Sequence, residues 1–178
     1  MKIAGKFLTM RDGKTIYGPD GEKLAYFAKK ILSWRRNYQV YSYKPVFEGQ
    51  KSSETDADKV PVYRWAKIEK DCCAWKPCFT LYMVTETNGE EDFYPFIRGE
   101  AQCCSLKFNM KIMMHKNRPN SDGQTPIVGQ LGEQTFFELG HENWGVKIAK
   151  GMDPILTIIF CIAVEDINKE DKAAANNS

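Results

Sequence analysis

Lys150-Gly-Met-Asp-Pro-Ile-Leu-Thr-Ile-Ile-Phe-Cys-Ile-Ala-Val-Glu-Asp-Ile167 is the stretch on which the fold turns. From Ile155 to Val164 it carries no charge and a single hydroxyl, Thr157. Such a run is a buried strand or a buried helix, and periodicity does not separate the two. Asp153-Pro154 decides for helix. An aspartate there accepts hydrogen bonds from first-turn N–H groups, and proline at the first helical position lacks only a donor that would be orphaned anyway. Ile155, Leu156, Ile158, Ile159, Phe160 and Ile162 then form a body that is apolar on every face, which requires enclosure by protein or lipid. Crossing a bilayer takes about 20 apolar residues, and Glu165-Asp166 ends the run well short of that. The expectation is a buried central helix, long enough at about 1.5 Å per residue to fill a small closed sheet.

The residues before it read as that sheet. Lys6–Met10, Thr15–Tyr17, Lys23–Ile31, Tyr38–Tyr43, Val60–Ile68, Cys78–Val84 and Phe93–Ile97 are short β-prone runs. Asp12-Gly13, Gly18-Pro-Asp-Gly21 and Asn88-Gly89 punctuate them as turns. In the stretch Ala101–Met114, Leu106, Phe108, Met110, Ile112 and Met114 alternate with Lys107, Asn109, Lys111 and Met113, which predicts one buried and one basic face. Ile127–Leu131, Thr135–Leu139 and Asn143–Ile148 complete eleven or twelve strands. Glu48–Lys59 is polar, acidic and aperiodic, and predicts a mobile surface loop joining two halves of one domain. Residues 169–178 predict a disordered tail. The fold class is therefore mainly β: a closed antiparallel barrel of about twelve strands around a central C-terminal helix, one domain over residues 1–168.

The chain is 178 residues long with a net charge of +2, which excludes nothing by itself. Its distribution is more informative: residues 1–47 hold ten Lys or Arg against Asp12, Asp20 and Glu22. No apolar run has signal-peptide or membrane-span length, and six cysteines without a secretory signal favour a reducing compartment. The expectation is a cytoplasmic protein, with membrane contact only at its surface.

Trp144-Gly-Val-Lys-Ile-Ala-Lys-Gly-Met-Asp-Pro-Ile-Leu156, closing on Val164-Glu-Asp-Ile167, resembles the C-terminal signature of the LURP-one-related family. Thr15-Ile-Tyr-Gly-Pro-Asp-Gly-Glu-Lys-Leu-Ala25 with Lys29-Lys-Ile-Leu-Ser-Trp34 is similar to that family's opening. Val62–Lys70 and Phe96–Gly99 fit weaker internal positions. The resemblance spans most of residues 6–167. It implies kinship with tubby C-terminal and phospholipid scramblase domains, hence a twelve-stranded barrel around a hydrophobic helix, and it raises phosphoinositide headgroups as a ligand class.

Candidate chemistry is sparse. Cys72, Cys73, Cys78, Cys103 and Cys104 lack the Cys-x-x-Cys spacing of a zinc site and read as free thiols, with acylation of Cys72, Cys73, Cys103 or Cys104 as a weak alternative; Cys161 reads as core. His115 and His141 sit in loop sequence, and neither a nucleophile elbow nor a phosphate-cradling Gly-rich run is present. The reading is of a non-enzyme with no cofactor and no metal. The strongest functional segment is Lys29, Lys30, Trp34, Arg35 and Arg36, extended by Lys107 and Lys111: cations for phosphate oxygens and a tryptophan for a membrane interface. A solvated basic bend is the plainer reading of the same residues. The function expected is a binding or adaptor domain for anionic phospholipid headgroups. The alternative is a protein-interaction scaffold working through the polar loops Glu48–Lys59 and Thr85–Asp92. A hollow barrel holding an apolar ligand and nucleic-acid binding are remoter options.

Overall fold

The structure, a computed structural model, describes residues 2–5, 13–30, 37–71, 76–102, 109–116, 125–134 and 143–176. The expected strands at Lys6–Met10 and Thr135–Leu139 lie outside these residues. Eleven strands and one helix follow in order: β1 (Lys2–Gly5), β2 (Gly13–Tyr17), β3 (Lys23–Lys29), β4 (Asn37–Ser42), β5 (Glu54–Thr55), β6 (Pro61–Lys70), β7 (Cys78–Thr87), β8 (Glu90–Ala101), β9 (Asn109–Met114), β10 (Ile127–Gln134), β11 (Asn143–Ile148) and α1 (Pro154–Asn176). Apart from the short β5, which pairs with β6, hydrogen-bonded neighbours follow sequence order from β1 to β11. A meander is what short turns between alternating strands produce. Asn88 and Gly89 both take positive φ, 55° and 81°, as the predicted tight hairpin between β7 and β8 requires.

Closure of the barrel is corrected. Among the described residues no ladder joins β1 to β11, so the strand order is open. All four residues of β1 pair with β2, Lys2 with Tyr17 through Gly5 with Lys14. Only alternate residues of an antiparallel strand bond outward, so so short an edge offers little to seal against.

The chain's contacts gather into two compact units where length alone predicts one domain. The first comprises Met1–Glu69 and Leu81–Tyr94, the second Lys70–Thr80 and Pro95–Ser178. In the first, Ile16, Ala25, Phe27, Val40, Ala66 and Ile68 are fully buried. A smaller cluster of Tyr26, Ala28, Tyr41 and Val62 forms on the other side of the same strands, with Tyr43 against it. The segment expected to be mobile supplies the cover for that cluster. Gln50 and Asp56 are buried, and β5 pairs with β6, Glu54 opposite Val62. Gln50 accepts the Val46 N–H at 2.8 Å and donates to the Arg64 carbonyl at 2.8 Å, which fastens the loop to β6. Polar sequence misled here because the loop's hydrogen-bond partners are distant in the chain.

In the second unit, Asp153 caps α1 as predicted. Its Oδ1 accepts the Ile155 and Leu156 N–H groups at 2.8 and 3.0 Å. Leu156, Ile159, Phe160, Ala163, Val164 and Ile167 are buried with Ile97, Met110, Ile112 and Leu131. The expected burial on every side is corrected: Ile155, Ile158 and Ile162 are only half-buried and lie on one stripe, which Glu165 and Lys169 continue. The tail is also corrected. The helix runs on to Asn176, held by Lys169–Glu165 at 2.6 Å and Lys70–Asp171 at 2.5 Å, with three alanines of high helix propensity near its end.

Gly99 lets the helix come close to β8. A Cβ there would sit 2.9 Å from the Phe160 ring and press on the Met110 sulfur. Gly99→Ala is therefore expected to destabilise by about 1–3 kcal/mol. A thermal melt unchanged from wild type would show that the helix does not need this approach.

Candidate functional site

A cleft of about 650 Å³ opens in the first unit, on the face that carries Tyr26 and Tyr41. Cross-strand rows build it. Ala28 on β3 pairs with Gln39 on β4, which pairs with Lys67 on β6. The next row is Tyr26, Tyr41 and Arg64, and Asn37 pairs with Glu69. Arg64 and Lys67 are three apart, and a regular strand would place them on opposite faces. The register skips Trp65, Val40 pairing with Ala66 and Tyr41 with Arg64. That bulge turns both cations to the cleft.

The cleft's charges are partly balanced. The Lys67 ammonium is 3.0 Å from Glu69 and stands over the rings of Tyr82 and Phe93, 4.7 and 4.9 Å from their centroids. Arg64 Nη1 reaches Glu91 at 3.2 Å, and Gln50 donates to the same carboxylate at 3.0 Å. Arg64 Nε is buried with no hydrogen-bond partner among the described residues. Burial, reinforced by the neighbouring Glu54 carboxylate, pushes the Tyr41 hydroxyl above its ordinary range, so it remains a neutral donor. Lys29 and Lys30 line the same cleft. Four cations thus face it against Glu54 and Glu69.

Of the predicted site residues, Lys29 and Lys30 lie at this cleft. Trp34, Arg35, Arg36 and Lys107 fall outside the described residues, although the segment holding the first three leaves at Lys30 and returns at Asn37, both of which line the cleft. Lys111 is on β9, in the second unit, and is exposed between buried Met110 and Ile112, as the alternation over Met110–Met114 predicts. Arg64, Lys67, Glu54 and Phe93 were missed. In sequence, buried Val62, Ala66 and Ile68 share one parity and imply an uninterrupted strand, so nothing there signals the bulge.

A second cleft, about 460 Å³, lies in the second unit beside Arg98. Arg98 bonds Asp71 at 3.0 Å and Glu100 at 3.0 Å, and Thr80 donates to Asp71 at 3.2 Å. Two carboxylates on one guanidinium leave it little attraction for another anion. Burial lowers the His115 pKa, with help from the nearby Arg98 charge. Burial also raises the thiols of Cys78 and Cys161, the latter to about 12. Both thiols therefore stay protonated, which removes the thiolate a nucleophile needs. No group of three metal-ligating side chains occurs among the described residues, whereas Cys72, Cys73, Cys103 and Cys104 lie outside them.

The model of the LURP-one-related family matches residues 1–165. The chain belongs to that family. Neither a curated protein nor a solved structure gives a match. This LURP-one-related chain thus combines the predicted C-terminal signature, Asp153-Pro154 and its helix, with a sheet that carries a charged cleft on the first unit. No helix among its described residues is long and apolar enough to cross a membrane.

Proposed function

We propose that this protein is a non-enzymatic binding module whose cleft takes the anionic, hydroxyl-bearing headgroup of a phospholipid at a membrane surface in the cytoplasm. The observation that carries the reading is the convergence of Lys29, Lys30, Arg64 and Lys67 on one cleft, with a buried Arg64 N–H left without an acceptor among the described residues. Phosphate oxygens satisfy such donors, and Arg presents them as a fork. Glu54 and Glu69 are suited to accept hydrogen bonds from ring hydroxyls, which a bare phosphate lacks. Kinship of the LURP-one-related family with tubby C-terminal domains supports the same ligand class. The rival scaffold reading needs its loops free to wrap a partner, and Gln50, bonded to Arg64, and Asp56, bonded to Lys23 and Tyr43, tie one of them down.

Co-sedimentation with phosphatidylcholine vesicles, with and without phosphoinositide, tests the proposal. Wild-type protein is expected to bind the phosphoinositide vesicles. Lys29→Ala/Lys30→Ala should weaken that binding by about tenfold or more, each lost charge-assisted bond being worth about 1.5–3 kcal/mol. Soluble inositol phosphate should compete and inorganic phosphate should not. Equal binding by the double variant, or competition by phosphate alone, would reject the cleft as a headgroup site.

A further inference from the structure

The second unit carries a different basic surface, built by β9, β10 and β11. Lys111, Gln130 and Lys147 pair directly across these strands, and all three are exposed. At about 4.8 Å per strand the two lysine backbones stand about 10 Å apart on one face. Among the described residues neither lysine makes an ion pair.

One row along, Met113 pairs with Ile127, which is 58% exposed. The register skips Val128, Ile127 pairing with Met113 and Gly129 with Ile112. This bulge buries Val128 and turns Ile127 to the side of Lys111 and Gln130. A regular strand would have reversed the two. The backbone bonds Met114 N–H to Pro126 carbonyl, 3.1 Å, and Ala149 N–H to Val128 carbonyl, 2.9 Å, gather the ends of β9 and β11 at the same place. Exposed Lys116 and Lys150 follow directly. Among the described residues, Glu100, opposite Lys111, bonds Arg98, and Asp153 caps the helix.

We infer that the β9–β11 face is a docking surface for an anionic lipid bilayer, with Ile127 entering the interface and Lys111 and Lys147 against the headgroups. A lone exposed isoleucine is ordinary. An isoleucine turned outward by a bulge onto the face of Lys111 and Lys147 gives a charge pattern that matches a negative leaflet. Nucleic acid rewards the lysines but not the isoleucine, whereas an anionic bilayer rewards both. The inference does not depend on the cleft in the first unit.

The test uses the full chain and vesicles without phosphoinositide, phosphatidylcholine alone against phosphatidylcholine with phosphatidylserine. Wild-type protein should partition onto the serine-lipid vesicles only. Each lysine removed should cost about fivefold, so Lys111→Gln/Lys147→Gln loses roughly 25-fold. Ile127→Ser should lose about fivefold at unchanged melting temperature, because its side chain is already exposed in the free protein. No partition by wild type, or unchanged partition by either variant, overturns the inference. So does a result in which the lysine variant fails, Ile127→Ser does not, and duplex DNA binds as well as the vesicles; that pattern assigns the face to polyanions in general. Lys111→Gln/Lys147→Gln should still bind soluble inositol phosphate as wild type does, since neither lysine lines the cleft, so failure of this face and failure of the cleft are separately visible.

Discussion

Asp56→Asn is expected to destabilise the first unit by about 3–4 kcal/mol. Asp56 is 6% exposed, and its carboxylate is the centre of a small network. Its Oδ2 accepts the Lys23 ammonium at 2.7 Å and the Tyr43 hydroxyl at 2.7 Å. Its Oδ1 accepts the N–H groups of Asp58 and Val60 at 2.9 and 2.8 Å. Asparagine keeps one acceptor for the backbone but loses the charge that pairs with Lys23 and turns an NH2 toward its ammonium, leaving donor facing donor there. The measurement is hydrogen–deuterium exchange at residues 54–62, where protection should fall by about two to three orders of magnitude, the equivalent of that energy at ~1.4 kcal/mol per tenfold. Protection within threefold of wild type would show that the network does not hold the loop.

The same carboxylate makes stability depend on acid. Burial pushes the Asp56 pKa up, but the bonds from Lys23, Tyr43 and the Val60 N–H outweigh it and hold the group below its usual value of 3.8. A carboxyl depressed in the folded state contributes stability fully above its unfolded pKa and loses it as pH falls through the folded one. Loop protection should therefore be flat from neutrality to about pH 5 and decline below about pH 4. The decline attributable to this group should be missing in Asp56→Asn.

Phe160→Ala is expected to cost about 3–5 kcal/mol, the usual range for emptying a fully enclosed aromatic position. Phe160 is 0% exposed, and its ring lies where a Gly99 side chain would otherwise be. Ile158→Ala, on the half-buried stripe of the same helix, should cost no more than about 1–2 kcal/mol, because part of its surface already meets solvent. Urea unfolding of the two variants side by side reads the difference. Equal losses would mean that the stripe is as enclosed as the opposite face, and would restore the fully sheathed helix.

These contrasts also show how far sequence reasoning reached. The Asp153-Pro154 start, the Asn88-Gly89 hairpin and the alternation through Met110, Ile112 and Met114 were legible because each depends on residues a few positions apart. The same locality exposed the family signature and placed Lys29 and Lys30 among the candidates. The loop at Glu48–Lys59 was misread because Asp56 and Gln50 find their partners at Lys23, Tyr43, Arg64 and Glu91, none of which composition reveals.

By itself, the order of residues determined that this protein would be a meander of strands ending in a capped, mostly buried helix, since turns, caps and alternation are short-range properties of the chain. Tertiary structure decided which side chains share a surface. The extra residues at Trp65 and Val128 reverse the parity of everything beyond them, bringing Arg64 beside Lys67 and Ile127 beside Lys111. Tertiary structure also decided that the strand order stays open and one stripe of the helix half-covered. The physical reason is that register and enclosure are set by pairing between distant strands, where a one-residue slip costs little locally and changes which face each later side chain occupies.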